Sequence, residues 1–305
     1  MKRREFIIKG AGIGLAGGLM TSFGGLHAVG MTAKEGEYDL VAVRGGEAVA
    51  MFDRAIAELG GMEKFVKPGQ KVLVKPNIGW DAPPERAANT NPQLISRIVK
   101  SCLDAGASEV MVFDHTCDEW TRCYSNSKIE ELARNAGAKV QPGNNESFFK
   151  EVSIPRGKSL KTAKVHQMLL DADVFINVPV LKHHSSTTVT LSMKNLMGVV
   201  WDRRYYHRND LSQCIADFLT YRKPDLNIID GYRMLTRNGP KGVSETDVAD
   251  LKALIAGRDI VAVDTAATLM FGEKPENINH LRIAHEMGLG TMNLDNLSIS
   301  RIKMG

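Results

Sequence analysis

The sequence lacks most of the short motifs by which common enzyme classes are recognised. Its 305 residues include four cysteines but no Cys-x-x-Cys pair, which argues against a ferredoxin cluster and against a thioredoxin-like redox motif. No Walker motif, Gly-x-Ser-x-Gly elbow, His-Glu-x-x-His segment or EF-hand loop occurs. These absences argue against P-loop enzymes, serine hydrolases of the usual α/β type, and the common kinds of zinc and calcium site.

Net positive charge is scarce outside the amino terminus. The formal net charge of the whole chain is +4. Lys2, Arg3, Arg4 and Lys9, opposed by Glu5, give the first thirty residues a net charge of +3, which leaves +1 for the rest of the chain. A nearly neutral body offers no electrostatic basis for binding nucleic acid, and we expect no such partner.

The first thirty residues have the composition of an export signal. A basic segment precedes the glycine- and alanine-rich run Gly10–Met20, which is less hydrophobic than a membrane span. The pair Arg3-Arg4, followed after one residue by two apolar ones, resembles the twin-arginine motif. We predict that residues 1–30 are a twin-arginine signal peptide, that the export machinery of this pathway is a partner, and that the mature form is periplasmic or otherwise extracytoplasmic, without a membrane span. An uncleaved anchor or an ordinary secretory signal is the alternative.

Residues 31–305 alternate between strand and helix patterns, and we predict a single α/β domain there. The alternation implies right-handed crossovers and a mostly parallel, Rossmann-like sheet flanked by helices, preceded by the signal peptide. An irregular stretch at 141–165, with a short hairpin, leaves a division into two lobes open. Predicted strands are Asp39–Val43, Gln70–Val74, Glu109–Phe113, Asp173–Val178, Leu226–Ile229, Leu251–Ile255 and Ser298–Ile302; predicted helices are Ala48–Leu59, Pro92–Ala105, Ser127–Asn135, Leu211–Leu219, Asp259–Phe271 and Ile278–Met287.

Polar side chains follow several of the predicted strands at the point where each strand ends. In open α/β sheets, ligands bind beyond the carboxyl ends of the strands, so we expect these segments to converge on one crevice. The alternative is that strand ends are polar simply because they meet solvent. The segments are Lys75-Pro76-Asn77, Asp114-His115, Asn177-Val178-Pro179 with Lys182-His183-His184, and Asp230-Gly231.

Lysines in and after these segments indicate an anionic ligand. Lys75, Lys182 and Lys194 are suited to holding a carboxylate or a phosphate, and side-chain amides can support them. Residues 183–190 are predicted to form a loop rich in histidine, serine and threonine. The alternative is that Lys194 and its neighbour only cap a helix or tie down this loop. The predicted substrate-binding residues are Lys75, Asn77, Asn177, Lys194 and Asn195.

The histidines indicate acid–base chemistry or a metal, because imidazole titrates near neutrality and is a common metal ligand. His183 and His184 are adjacent, so on an extended segment only one of them can face a given metal. We predict His183, Lys182 and His115 as catalytic residues. As one hypothesis for a cofactor, we predict a metal held by His183, Asp114 and His115, although this rests on the presence of histidines rather than on a recognised ligand spacing.

Two motifs give the chain a family resemblance. Asn177-Val178-Pro179-Val180-Leu181-Lys182, followed by Lys194-Asn195-Leu196-Met197-Gly198, resembles the uncharacterised "domain of unknown function 362" family of bacteria and archaea. Some members of that family carry ferredoxin-like cluster segments, but this chain lacks their cysteines, so we expect no iron–sulfur cluster. Further matching stretches are Val72–Asn77, Ala105–Asp114, Asp171–His183, Ser192–Val199, Leu226–Gly231 and Ala256–Phe271.

The family is also distantly similar to the nickel-pincer lactate racemases, which use lysine and histidine at a related site. This resemblance implies that Lys182, His183 or His184 touches a cofactor or substrate.

Two functions remain open from the sequence. The first is an exported enzyme that acts on a small anionic substrate, with a metal or organic cofactor loaded before export. The second is a non-catalytic periplasmic binding or accessory protein, in which the same lysines bind an anion without turnover. The cysteines leave a parallel choice open, since Cys117 and Cys123 could pair in an oxidising compartment or could be free thiols.

Overall fold

The computed structural model describes residues 38–305, so the predicted signal peptide lies outside the described residues. Ten strands of this part of the chain form one sheet, and two more form a separate antiparallel hairpin. The strands are β1 (Leu40–Arg44), β2 (Lys71–Pro76), β3 (Glu109–Val112), β4 (Lys139–Val140), β5 (Phe149–Ser153), β6 (Thr162–His166), β7 (Val174–Val178), β8 (Val180–His184), β9 (Thr188–Thr190), β10 (Leu226–Leu235), β11 (Val248–Gly257) and β12 (Ile299–Lys303).

The α-helices of the described part lie between these strands. Longer helices cross between strands of the sheet, and short ones mark the ends of loops. They are α1 (Ala48–Glu58), α2 (Pro92–Asp104), α3 (Trp120–Asn126), α4 (Ile129–Asn135), α5 (Gln167–Asp171), α6 (Ser192–Asn195), α7 (Arg203–Arg208), α8 (Leu211–Phe218), α9 (Ile260–Phe271) and α10 (Asn279–Glu286).

Strand directions confirm a mostly parallel α/β sheet. Eight strands lie side by side in the order β12-β1-β11-β10-β7-β2-β3-β4. Only β11 runs against its neighbours β1 and β10, whereas β10, β7, β2, β3 and β4 are all parallel. The carboxyl ends of these five strands therefore meet at one edge, which is where a ligand site of an open α/β sheet lies.

Alternating side chains along the strands build a core on each face of the sheet. In β2, Val72 and Val74 belong to an apolar cluster that includes residues of α1, α2 and α4, while Leu73 belongs to a second cluster that includes residues of α8, α9 and α10. Period-two alternation on a sheet covered by helices on both faces yields near-continuous apolar strands. That pattern is what made these strands visible in the sequence.

Capping residues fix where the crossover helices begin and end. The Asn91 side chain accepts from the backbone N–H groups of Gln93 and Leu94, and Pro92 occupies the first turn of α2. Asp259 caps α9 in the same way, and Gly272 ends that helix with a left-handed φ of 88°. A glycine at this position avoids the strain that a side chain would suffer.

The structure corrects one expectation and extends others. Residues 183–190, predicted as a loop, instead form the end of β8, a turn and β9, and β8 adds in parallel to β10. Two strands predicted as short ones, β10 and β11, run for ten residues each and pair along most of their length. The hairpin predicted within 141–165 is confirmed as β5 and β6. No helix within residues 38–305 is long and apolar enough to cross a membrane.

A buried carboxylate anchors α6 to the core helix α9. Asp264 is 1% exposed and accepts hydrogen bonds from the backbone N–H groups of Ser192 and Met193 at 2.8 and 2.9 Å. Burial raises the pKa of Asp264 to about 7, although both hydrogen bonds favour the charged form. Because α6 carries Lys194 and Asn195, this anchor sets the position of two predicted site residues.

Replacing Asp264 with alanine is expected to lower the free energy of unfolding by roughly 2–4 kcal/mol, because two buried N–H groups would lose their acceptor. Urea unfolding of the purified protein measures the change. Asp250→Ala is the matched control, since Asp250 pairs with Arg233 at 3.4 Å on the surface and such a pair contributes less than about 1 kcal/mol. Equal effects of the two substitutions would contradict the anchoring role.

Candidate functional site

The strand ends bring most of the predicted site residues together at the edge of the sheet. Lys75 in β2 lies directly beside Asn177 in β7 in the parallel register. Asp114 follows β3, and Lys182 belongs to β8, which continues beyond the end of β7. The convergence expected from the strand ends is therefore present for these four residues.

An ion pair between Lys75 and Asp114 lies at the centre of this edge. The Lys75 Nζ is 2.8 Å from Asp114 Oδ1, and the two side chains are 0% and 2% exposed. Lys75 also donates to the carbonyl of Pro76 at 2.6 Å, and Asp114 Oδ2 accepts from the Ile78 N–H at 2.7 Å. Burial lowers the pKa of Lys75, and the charge of Asp114 opposes that shift.

Side-chain amides join this ion pair to its neighbours. Asn195 Oδ1 accepts from Lys75 Nζ at 3.1 Å and from Asn77 Nδ2 at 3.0 Å, and Asn195 Nδ2 donates to Asn177 Oδ1 at 2.9 Å. Asn77 Oδ1 in turn accepts from Lys182 Nζ at 2.7 Å. We call the connected set the polar network: Lys75, Asn77, Asp114, Asn177, Lys182 and Asn195.

Cationic groups outnumber acidic ones at the polar network. Lys182 is 1% exposed, and its acceptors are the neutral oxygens of Asn77 and of the Ala88 carbonyl. Burial lowers the pKa of Lys182 to about 7. Burial also lowers the pKa of Lys194 to about 8, and the nearby positive charges of Arg203 and Lys75 contribute to that shift. Asp114 is the carboxylate of this group, and it pairs with Lys75.

Lys194 and four side chains that interact with it electrostatically lie on the accessible side, and we call these five residues the rim. Burial and, after it, the charge of Lys194 lower the pKa of His184 and of His207. The Arg203 guanidinium contacts the exposed Cys117 thiol at 3.1 Å. Lys194 and Arg203 are half-buried, so a ligand can reach both of them. The rim consists of Cys117, His184, Lys194, Arg203 and His207.

The three predicted metal ligands are not brought together. His183 Nδ1 accepts from the Gly239 N–H at 3.0 Å, on the other side of β8 from Lys182. His115 Nδ1 lies 3.0 Å from the Val200 carbonyl, and its ring stacks on Trp201 at 4.9 Å. Asp114 is engaged by Lys75. Within residues 38–305, no group of three His, Cys, Asp or Glu side chains is placed to hold a metal.

The structure adds Arg203 and His207 to the rim, two residues that the sequence reasoning missed, and it selects His184 from the candidates that the family resemblance implied. Lys182 and His184 are two positions apart on β8, so they share a face, whereas His183 points the opposite way. This alternation holds only for an extended segment, whereas the sequence predicts residues 183–190 as a loop. Arg203 and His207 lie on α7, whose six residues are too short for a periodic signal.

Two further predicted features lie outside the polar network. Asp230 accepts from the backbone N–H groups of Asn91 and Tyr232 at 2.7 and 3.1 Å, so it supports the start of α2. Burial raises its pKa to about 6. Cys117 and Cys123 are both free thiols here, the first exposed and the second buried.

Gly198 packs against the central ion pair so closely that no side chain fits there. A Cβ at Gly198 would lie 1.9 Å from Asp114 Oδ1 and 2.7 Å from Lys75 Nζ. We expect Gly198→Ala to lower the free energy of unfolding by roughly 1–3 kcal/mol, because the buried ion pair must shift. Thermal and urea unfolding measure the loss.

Gly79→Ala is the matched control near the same site. Its added Cβ would meet nothing closer than Asn77 Oδ1 at 3.8 Å, an ordinary contact. A loss as large as that of Gly198→Ala would show that close packing on the ion pair is not the cause.

Comparison with known proteins shows that this chain matches a family. Residues 72–269, more than half of the chain, match the family described as "Domain of unknown function (DUF362)". A thylakoid-associated protein of Synechocystis sp. is 26% identical over 252 residues, which is 80% of this chain and 76% of that protein.

Among solved structures, the lactate racemase apoprotein from Thermoanaerobacterium thermosaccharolyticum is similar with a TM-score of 0.45 and 10% identity, over 73% of this chain. The match spans 55% of that racemase chain, and a likeness this distant assigns no activity or residue role. The family predicted from the Asn177–Lys182 and Lys194–Gly198 motifs is confirmed by the match over residues 72–269, and the chain belongs to the DUF362 family.

Proposed function

We propose that this protein is an exported enzyme acting on a small anionic substrate, whose negative group binds at the rim. The observation that carries the proposal is the excess of positive charge around Lys75, Lys182, Lys194 and Arg203, with Asp114 as the paired carboxylate. Like charges held close together in a partly buried site repel one another, and an anion relieves that repulsion.

The cations divide into a buried and an accessible layer. Lys75 and Lys182 are 0% and 1% exposed, so they act on a ligand through their charge and through the amides they hold. Lys194 and Arg203 are half-buried and can contact the ligand. Charge-assisted hydrogen bonds from an ammonium and a guanidinium are suited to a carboxylate, phosphate or sulfate group.

Lys194 is also our candidate for proton transfer. With its pKa lowered to about 8, it exchanges a proton close to neutral pH, as a general acid or base requires. Burial and the neighbouring lysines lower the pKa of His184 to about 3, so this imidazole is neutral and serves as a hydrogen-bonding group. Burial also lowers the pKa of His115, and its Nδ1–H donates to the Val200 carbonyl.

Only the sequence supports the export part of this proposal. The twin-arginine leader over residues 1–30 is the support for a periplasmic or other extracytoplasmic location.

Sulfate affinity is expected to depend on the charge of Lys194. Calorimetry between pH 6 and 10 is expected to show affinity falling as the pH rises through about 7 and 8, because Lys182 and then Lys194 lose their protons there rather than near the ordinary value of 10.5. Lys194→Met is expected to weaken sulfate binding at pH 7 by about tenfold or more. Lys194→Arg is expected to keep affinity to higher pH, since a guanidinium does not deprotonate in this range.

Lys150→Met, on the exposed edge of β5, is the control and is expected to bind sulfate like the unmodified protein. Sulfate affinity that does not change with pH, or that survives Lys194→Met, would contradict the proposed site.

Turnover separates the enzyme from a binding protein. Carboxylates and phosphate esters that raise the melting temperature are incubated with the protein and followed by proton NMR. Chemical change that is lost in Lys194→Met supports the enzyme. Stabilisation without change of any such compound would support the alternative, a non-catalytic anion-binding protein.

A further inference from the structure

A second feature of the structure is a large cavity beside the rim. It has a volume of about 670 Å³ and lies between the β5–β6 hairpin and the segment that runs from Val200 into α7. Thr162 and Lys164 line it on the hairpin side, and Trp201 and Arg203 line it on the other. Small-molecule sites usually have volumes of roughly 300–1,000 Å³, so this one is large enough for a ligand with a substantial body.

Arg203 belongs both to the cavity and to the rim. Its guanidinium donates to the His115 carbonyl at 2.9 Å and contacts the Cys117 sulfur at 3.1 Å. The His115 N–H donates to the Gly198 carbonyl at 3.0 Å, so the segment that follows Lys194 and α6 lies against the residue that Arg203 binds. His115, which directly follows Asp114 of the polar network, lines the cavity as well. A ligand held at the rim therefore has the cavity directly beside it.

An aromatic wall is held in place on one side of the cavity. The Trp201 ring stacks on the His115 ring, with 4.9 Å between the ring centroids and an interplanar angle of 4°. The Phe149 ring packs against Trp201 with 5.3 Å between the centroids. The backbone N–H of Trp201 donates to the Lys164 carbonyl at 2.9 Å, and Val200 bridges to Val165 of the hairpin. Because ring and backbone are both fixed, the partly exposed indole is preorganised to stack on a planar group.

The rest of the lining does not select strongly for charge. Basic and acidic side chains occur there in nearly equal numbers, and Lys164 ion-pairs with Glu146. Ligand charge is therefore selected at the rim, and the cavity selects by shape and stacking.

We propose that the cavity binds the planar ring of a ring-bearing anion whose carboxylate or phosphate is held by Lys194 and Arg203. This inference rests on the proposed function and narrows its substrate class to aromatic or heteroaromatic anions. Trp201 provides the stacking surface, and Arg203 connects the ring site to the anion site.

Two carboxylates of different size test the proposal: acetate, and 2-naphthoate, which carries the same group on a planar ring. Calorimetry with the unmodified protein is expected to show 2-naphthoate binding about tenfold more tightly than acetate. Trp201→Ala is expected to remove this preference and to leave acetate affinity within about twofold. Because Trp201 packs on two rings, its loss can also affect folding, so a second variant is needed.

Thr162→Trp is that second variant. Thr162 is an exposed residue of β6 that lines the cavity, so a large side chain there fills the space without disturbing the core. It is expected to abolish the preference for 2-naphthoate, whereas Ser125→Trp, at an exposed position of α3 outside the cavity, is expected to keep it.

The results distinguish failure of the ring site alone from failure of the anion site. Equal affinity for acetate and 2-naphthoate in the unmodified protein, or a preference that persists in both cavity variants, would overturn the ring site while leaving the anion site intact. If neither carboxylate binds to the unmodified protein or to Lys194→Met, the proposed function and the ring site are overturned together.

Discussion

The buried ion pair between Lys75 and Asp114 is the constraint on which the rest of the site depends. Taking an ammonium and a carboxylate out of water costs several kcal/mol for each ion, and only close pairing with further hydrogen bonds offsets that cost. The pair at 2.8 Å, completed by the carbonyl of Pro76 and the N–H of Ile78, meets this requirement. It also fixes the ends of β2 and β3 relative to each other, and it leaves no room for a side chain at position 198.

From this pair the arrangement extends outward in layers. Asn195 accepts from Lys75, Asn77 accepts from Lys182, and Asp264 holds the start of the short helix that carries both Lys194 and Asn195. Lysines that are buried beside one another without an equal number of carboxylates have lowered pKa values and a favourable field for anions. In the proposed function, the inner residues therefore support the chemistry, and Lys194 and Arg203 are the groups that meet the ligand.

The sequence was sufficient for the parts of the structure that follow from local patterns. Apolar strands such as Val174–Val178 and capped helices such as Pro92–Asp104 carry their own signals. The rule that ligands bind at strand carboxyl ends grouped five residues that the structure brings together, namely Lys75, Asn77, Asp114, Asn177 and Lys182. The same rule also included Asp230, which lies outside the polar network.

The rest could not be read from local patterns because it depends on tertiary contacts. His184 shares a face with Lys182 only if their segment is a strand. That strand exists because β8 pairs with β10 and β9. Arg203 reaches the rim from a six-residue helix, and its contacts with residues 115–117 span more than eighty positions of sequence. Neither periodicity nor motif spacing reports such contacts.

The presence of an anion at the rim is the central claim, and anomalous diffraction from crystals soaked in selenate tests it most directly. A selenium peak within hydrogen-bonding distance of Lys194 Nζ and the Arg203 guanidinium is the result predicted here. Selenium peaks confined to other surfaces, with Lys194 paired instead to a carboxylate of the chain, would contradict it.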